Sequence, residues 1–185
     1  ATKVSGGNLR HDDVLRAADN SLRLMGVDVI DLYQIHWPNQ SVPIRETMGA
    51  LEELVDRGTV KYIGVSNFSV EQLKEAQNAM SKYAVVSNQV LYNLKSRRIE
   101  HDLIPYCQEN KITVIAYTPL ADGSLAGKSR LLPDKRGAVM EEVAQESGKT
   151  PAQVALNWCL TRPPVVVIPK TNSVERTEDN CGATG

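Results

Sequence analysis

Short apolar or β-branched runs recur along this chain at roughly the 25–35-residue interval of a βα unit, and helical periodicity fills the gaps between them. The runs are Thr2–Val4, Val29–His36, Val60–Val65, Val85–Val90, Ile112–Tyr117 and Val165–Ile168. Between the first two, Val14, Ala18, Leu22 and Met25 share one face of a helix predicted over His11–Met25, with Asp12 and Asp13 in its first turn and Gly26 at its end. A second helix is predicted over Ile44–Val55, with Met48, Leu51 and Val55 facing inward and Gly58 beyond it. Ser69 and Gln72 form a capping box for a third, running to about Met80. Further helices are expected around Ile99–Asn110, over Val139–Gln145, after Thr150-Pro151-Ala152-Gln153, and from Val174. The stretch Leu120–Arg136 carries Gly, Ser, Lys and Pro and is expected to be an exposed loop.

This alternation predicts an α/β fold with a parallel sheet. A wholly apolar strand such as Val165–Ile168 implies burial on both faces. Two architectures compete. A doubly wound sheet usually announces itself with a G-x-G-x-x-G turn after the first strand, and the chain has none. A (β/α)8 TIM-barrel type is therefore preferred, incomplete here, with about six βα units in a single domain over residues 1–185.

Composition narrows the function classes. A formal net charge of −1, with both signs mixed along the chain, removes bulk electrostatics as a reason to expect nucleic acid or a membrane. No apolar run reaches spanning length. Cys107, Cys159 and Cys181 are odd in number and lack metal-like spacing, so a reducing, cytoplasmic setting is expected and no metal site. His11 and His101 read as exposed, and the pairs Glu52-Glu53 and Glu141-Glu142 as solvated helix faces.

The informative pattern lies where each strand gives out. In a parallel barrel, function gathers at the carboxyl ends of strands. Those ends carry Lys3, His36-Trp37, Ser66-Asn67, Gln89, Tyr117-Thr118 and Lys170-Thr171. Taken singly each is ordinary: a surface lysine, a core histidine, a turn, an interior amide, a core aromatic, a helix start. Six in register point to one shared pocket.

The segments Thr2-Lys3-Val4, Gln34-Ile35-His36-Trp37-Pro38, Gly64-Val65-Ser66-Asn67-Phe68, Asn88-Gln89, Ala116-Tyr117-Thr118-Pro119-Leu120 and Ile168-Pro169-Lys170-Thr171 resemble, in order, the signatures of the aldo-keto reductases. The resemblance implies an oxidoreductase that uses NADPH, in preference to NADH, to reduce aldehydes and ketones by hydride transfer. It implies catalytic roles for Lys3 and His36, with Trp37 lining the substrate pocket. Ser66, Asn67 and Gln89 would hold the nicotinamide carboxamide, and Tyr117 would stack on its ring. Thr118 and Leu120 would border the pyrophosphate. Lys170, Thr171 and Arg176 would hold the adenosine 2′-phosphate, with Asn180, and Asp179 as a second candidate, on the adenine.

The resemblance begins at the family's third barrel strand, so the family's catalytic tyrosine and aspartate, which lie earlier, have no counterpart here. A nucleotide-binding regulatory or interaction relative is therefore the alternative, and a barrel enzyme acting on phosphorylated substrates a third. Six strands leave the first and last with open edges, from which association into a homo-oligomer is expected.

Overall fold

The computed structural model describes residues 1–127 and 135–184. Six strands alternate with helices, and the contacts divide the chain into two compact units. Residues 1–90 with 109–113 form one, and residues 91–108 with 114–185 the other.

In the first unit, β1 (Thr2–Val4), β2 (Ile30–Ile35), β3 (Val60–Ser66) and β4 (Val85–Leu91) lie side by side, each parallel to the next. Helices α1 (His11–Met25), α2 (Ile44–Asp56) and α3 (Val70–Ala79) connect them. A parallel neighbour needs a crossover connection, and these amphipathic helices supply it while covering one sheet face. Val14 and Ala18 of α1 are buried, as are Met48, Leu51 and Leu54 of α2 and Leu73 and Ala76 of α3. Each large aliphatic side chain so buried contributes on the order of 1.5–3 kcal/mol.

The helix ends follow local chemistry. Gly26 closes α1 at φ 65°, a left-handed conformation that glycine adopts without a Cβ penalty. Ser69 and Gln72 form both bonds of the expected capping box on α3. Met25, on the same apolar face, is 43% exposed, because packing against α1 fades toward its end: Val14 and Ala18 are buried and Leu22 only half-buried.

Glu52 corrects the expectation of a solvated face. It is 8% exposed, and its carboxylate accepts the backbone N–H of Ser81, Lys82 and Tyr83 and the hydroxyl of Ser81. It therefore ties α2 to the turn leading into β4. His11 is half-exposed with two partners: Nδ1 lies 2.9 Å from Asp12 and Nε2 2.9 Å from Glu53.

In the second unit, β5 (Thr113–Tyr117) pairs in parallel with β6 (Val165–Ile168). Helices α4 (Leu103–Glu109), α5 (Lys135–Ser147), α6 (Pro151–Leu160) and α7 (Val174–Cys181) complete it. The helix expected over Ile99–Asn110 is split. A 3₁₀ turn covers Arg98–Glu100, and the Asp102 carboxylate then accepts the Leu103 N–H at 2.6 Å, restarting the chain as α4. Thr150 and Gln153 cap α6 with the reciprocal box, and Pro151 opens it. The Trp158 ring stacks on Tyr92 at 5.4 Å, with the guanidinium groups of Arg97 and Arg162 over it at 5.1 and 5.6 Å. Part of the loop expected over Leu120–Arg136 lies outside the described residues; Ala121–Gly127 is a series of turns.

β6 also departs from expectation. Val165 is buried, but Val166 and Ile168 are 43% and 44% exposed. An apolar run reports a capacity for two-sided burial, and the described residues of this unit bury Val165 and only partly cover Val167.

Candidate active site

Strand register builds the first half of the site. Lys3 pairs with Gln34, Gln34 with Gly64 and Gly64 with Ser87, one row across four strands. Residues in register on parallel strands share a sheet face, and so do residues two further along each strand. The next row of that face is His36, Ser66 and Gln89, with Ser66 opposite Gln89. The same alternation that buries Ile35, Val65 and Asn88 against the helices thus presents Lys3, His36, Ser66 and Gln89 on the other side.

Hydrogen bonds hold this row rigidly. The Ser66 hydroxyl donates to the Gln89 carbonyl at 2.8 Å. Asn67, at φ 62°, donates from Nδ2 to the His36 carbonyl and to Ser66 Oγ, both at 3.1 Å. Its backbone N–H reaches the Gln89 carbonyl at 2.9 Å. Asparagine tolerates the left-handed region better than most residues, so the turn after β3 can fold back across β4. One strand over, the His36 N–H donates to the Val4 carbonyl at 2.9 Å.

His36 and Trp37 follow β2 immediately and are exposed, their rings stacked at 6.3 Å. Asn39 donates to the Gly6 carbonyl at 2.7 Å, tying the loop after Trp37 to the loop after Lys3. Lys3 is half-buried and makes no ion pair among the described residues. Burial without a counter-charge lowers its pKa from the ordinary lysine value. A lysine of this kind holds its proton less tightly and can pass it to a developing anion.

The second unit contains a groove of about 1070 Å³. Thr118, Leu120, Lys170, Thr171, Arg176 and Asn180 all line it, so six of the residues marked from sequence meet in one place. Tyr117 ends β5 just before the groove and is not among its walls. The floor turns sharply. Thr118, Ala121 and Asp122 take φ of 53°, 47° and 54°, followed by Gly123 at 84°. A β-branched residue rarely holds that conformation, and such strain persists only where surrounding bonds enforce it. Here Asn93 donates to the Thr118 carbonyl at 2.9 Å while its own oxygen accepts from the N–H groups of Lys95 and Ser96.

Charge in the groove is mixed. Asp122, Glu141, Glu175 and Asp179 line it together with Lys170 and Arg176. Asp179 is already engaged, accepting from the Thr150 hydroxyl and from Gln153 Nε2. Neither cation makes an ion pair among the described residues, and both are exposed. Arg176 lies in the first turn of α7, where Ser173 accepts its backbone N–H at 3.4 Å. A planar guanidinium, a lysine and a helix amino terminus form a donor set suited to a phosphate.

Sequence reading missed three contributors. Gln34 is 1% exposed and lies under the His36–Ser66–Gln89 row. Asn88, fully buried, bonds both backbone groups of Phe68, with Nδ2 donating to its carbonyl at 2.9 Å and Oδ1 accepting its N–H at 3.4 Å. Asn93 holds the groove's turn. An amide within an apolar run is the signal that could have found the first two, since a buried amide requires partners. Among the described residues no cluster of His, Cys, Asp or Glu could hold a metal, and no helix is long and apolar enough to cross a membrane.

Comparison with known proteins shows the family of the chain. A profile of the "Aldo/keto reductase family" matches residues 1–184. Methylglyoxal reductase YeaE of Escherichia coli (strain K12) is 36% identical over 181 residues, which are 97% of this chain and 61% of that protein. The crystal structure of the thermostable aldo-keto reductase Tm1743, in complex with the inhibitor epalrestat, superposes with a TM-score of 0.90 at 42% identity, covering 98% of this chain and 64% of that one. An aldo-keto reductase from Klebsiella pneumoniae in complex with NADPH superposes with a TM-score of 0.87 at 37% identity, covering 98% and 62%. The chain thus spans somewhat under two thirds of the length of these relatives. Its α/β fold is that of the family's (β/α)8 barrel over the part it spans, and the chain belongs to the aldo/keto reductase family.

Proposed function

We propose that the protein reduces aldehydes and ketones to alcohols with NADPH as reductant. The observation that carries this reading is the strand register, which puts His36, Ser66 and Gln89 in one row directly beyond Lys3 on one sheet face. Amide and hydroxyl groups fixed by their own hydrogen bonds are what a planar carboxamide needs for orientation, and hydride transfer depends on orientation. Ser66, Asn67 and Gln89 would hold the nicotinamide end, with Tyr117 against the ring. In the second unit Thr118 and Leu120 would border the pyrophosphate. Lys170, Thr171 and Arg176 would hold the 2′-phosphate, and Asn180 the adenine. Lys170 and Arg176, in no ion pair among the described residues, support NADPH over NADH.

Bound NADPH supplies the hydride that the carbonyl carbon receives. His36 orients the carbonyl by hydrogen bonding its oxygen. As negative charge develops there, Lys3 stabilises it, and Lys3 Nζ or the His36 ring supplies the proton that completes the alcohol. Trp37, half-exposed beside His36, gives an apolar wall for the substrate. Methylglyoxal, the substrate in the name of the E. coli relative, is the first compound to try.

The test follows the loss of reduced-nicotinamide absorbance with methylglyoxal and simple aldehydes. His36→Ala is expected to lower kcat/KM by about 10²–10⁴-fold. Turnover unchanged in that variant would remove His36 from the chemistry. Absence of any NADPH oxidation by the parent protein would overturn the reading. β1 pairs only with β2 and β6 only with β5 among the described residues, so self-association through these edges belongs to the same reading. Sedimentation velocity showing a lone monomer would remove that part.

A further inference from the structure

Gln34 has a direction imposed on it. One end of its amide faces the Val65 carbonyl oxygen, 3.1 Å from Nε2. A backbone carbonyl can only accept, so this end is the NH2 group. The Ser87 hydroxyl takes the second N–H at 3.4 Å. Gln34 Oε1 is thereby turned toward Gln89, where it too can only accept. Gln89 answers with Nε2, at 3.4 Å. The end of Gln89 left over is its oxygen. Amide polarity is thus passed from a fixed backbone carbonyl, through Gln34, to Gln89, within a buried setting where the wrong orientation would face oxygen with oxygen. Gly64 makes room for this: a Cβ there would collide with Ser87 Oγ and lie 3.0 Å from Gln34 Cγ.

We propose that Gln34 is a positioning residue that fixes the Gln89 side chain with its oxygen as acceptor, so that the site selects a ligand presenting an N–H there and rejects one presenting only oxygen. The inference rests on the reading of Gln89 as a nicotinamide contact. On that reading Gln89 Oε1 takes an N–H of the carboxamide. A dinucleotide whose carboxamide is replaced by carboxylate would meet an oxygen it cannot bond. Were Gln89 free to turn over, it would offer N–H groups to that carboxylate instead.

The experiment is a pair of binding titrations on the full chain, with NADP and with nicotinic acid adenine dinucleotide phosphate, for the parent, Gln34→Met, Gln34→Leu and Gln34→Glu. The parent is expected to prefer NADP by about 10-fold or more, the worth of one amide hydrogen bond replaced by an oxygen–oxygen contact. Gln34→Met and Gln34→Leu, which cannot direct Gln89, should bring the two affinities within about 2–3-fold of each other, because Gln89 then turns to suit either ligand. Gln34→Glu, its carboxyl kept neutral by burial, can donate its O–H to the Val65 carbonyl while its other oxygen faces Gln89, so it should retain the preference even if the apolar variants fold poorly. A merely structural role would weaken both ligands together and leave their ratio alone, and that result would overturn the proposal, as would loss of the ratio in Gln34→Glu. Failure of the parent to bind either dinucleotide would instead overturn the functional reading, and the proposal with it.

Discussion

Tyr33 is fully buried on β2, and among the described residues its hydroxyl has no hydrogen-bond partner within bonding geometry. The Ser21 hydroxyl beside it already donates to the Ala17 carbonyl. Burial pushes the Tyr33 pKa up to about 12, so the phenol stays neutral. A buried donor left unmade costs on the order of 1–3 kcal/mol. Tyr33→Phe is therefore expected to leave stability unchanged or raise it, and thermal melting that shows a loss above about 1 kcal/mol would reveal a bond the hydroxyl does make. Gly64 is the opposite case. Gly64→Ala places a methyl group against Ser87 Oγ and should lower stability by about 1–3 kcal/mol while disturbing the Gln34–Gln89 pair above it. Neither effect was legible in sequence. A tyrosine and a glycine within apolar strands carry no mark of what the neighbouring strand brings opposite them. Lys3, His36, Ser66 and Gln89 were legible, because polar side chains ending apolar strands are conspicuous whatever lies across from them.

Among elements, the α2–β4 connection depends on Glu52. Burial opposes its ionisation, but the N–H groups of Lys82, Ser81 and Tyr83 and the Ser81 hydroxyl outweigh that, so its pKa lies below the ordinary glutamate value. A depressed carboxyl pKa contributes stability that is present above the unfolded value and lost as pH falls through the folded one. Glu52→Gln is expected to cost about 1–3 kcal/mol at neutral pH and to flatten the acid side of the stability profile. An unchanged acid midpoint would show that the Ser81–Tyr83 turn holds without the charge. His11 acts with the other sign. Its bond to Asp12, and then Glu53, raises its pKa, so its contribution is present at low pH and fades as pH rises through the folded value. Capping boxes at Ser69 and Thr150 could be read from four residues each, since they depend on local chain geometry alone. Glu52 could not, because its partners lie about thirty residues away. The exposed faces of β6 escaped for a related reason: Val165–Ile168 states what the strand can bury, and packing decides what it does bury.

On the scale of the molecule, each compact unit carries its own part of the cofactor reading, and the parts can be tested separately. Arg176→Ala should weaken NADPH by about 10–100-fold and leave NADH nearly unaffected, since a 2′-phosphate is the group that distinguishes them. Equal weakening of both would mean that Arg176 supports the fold of α7. The βα alternation and its parallel sheet were legible in sequence because a period of apolar runs survives any detail of packing. The relay through Gln34 was not, because it exists only once three strands are in register. The most direct measurement is a crystal structure of the chain grown with NADPH. The expected result is a nicotinamide carboxamide within hydrogen-bonding distance of Ser66, Asn67 and Gln89, with the Gln89 oxygen accepting from its NH2 group. A nicotinamide bound elsewhere, with His36, Ser66 and Gln89 touching no ligand, would contradict it.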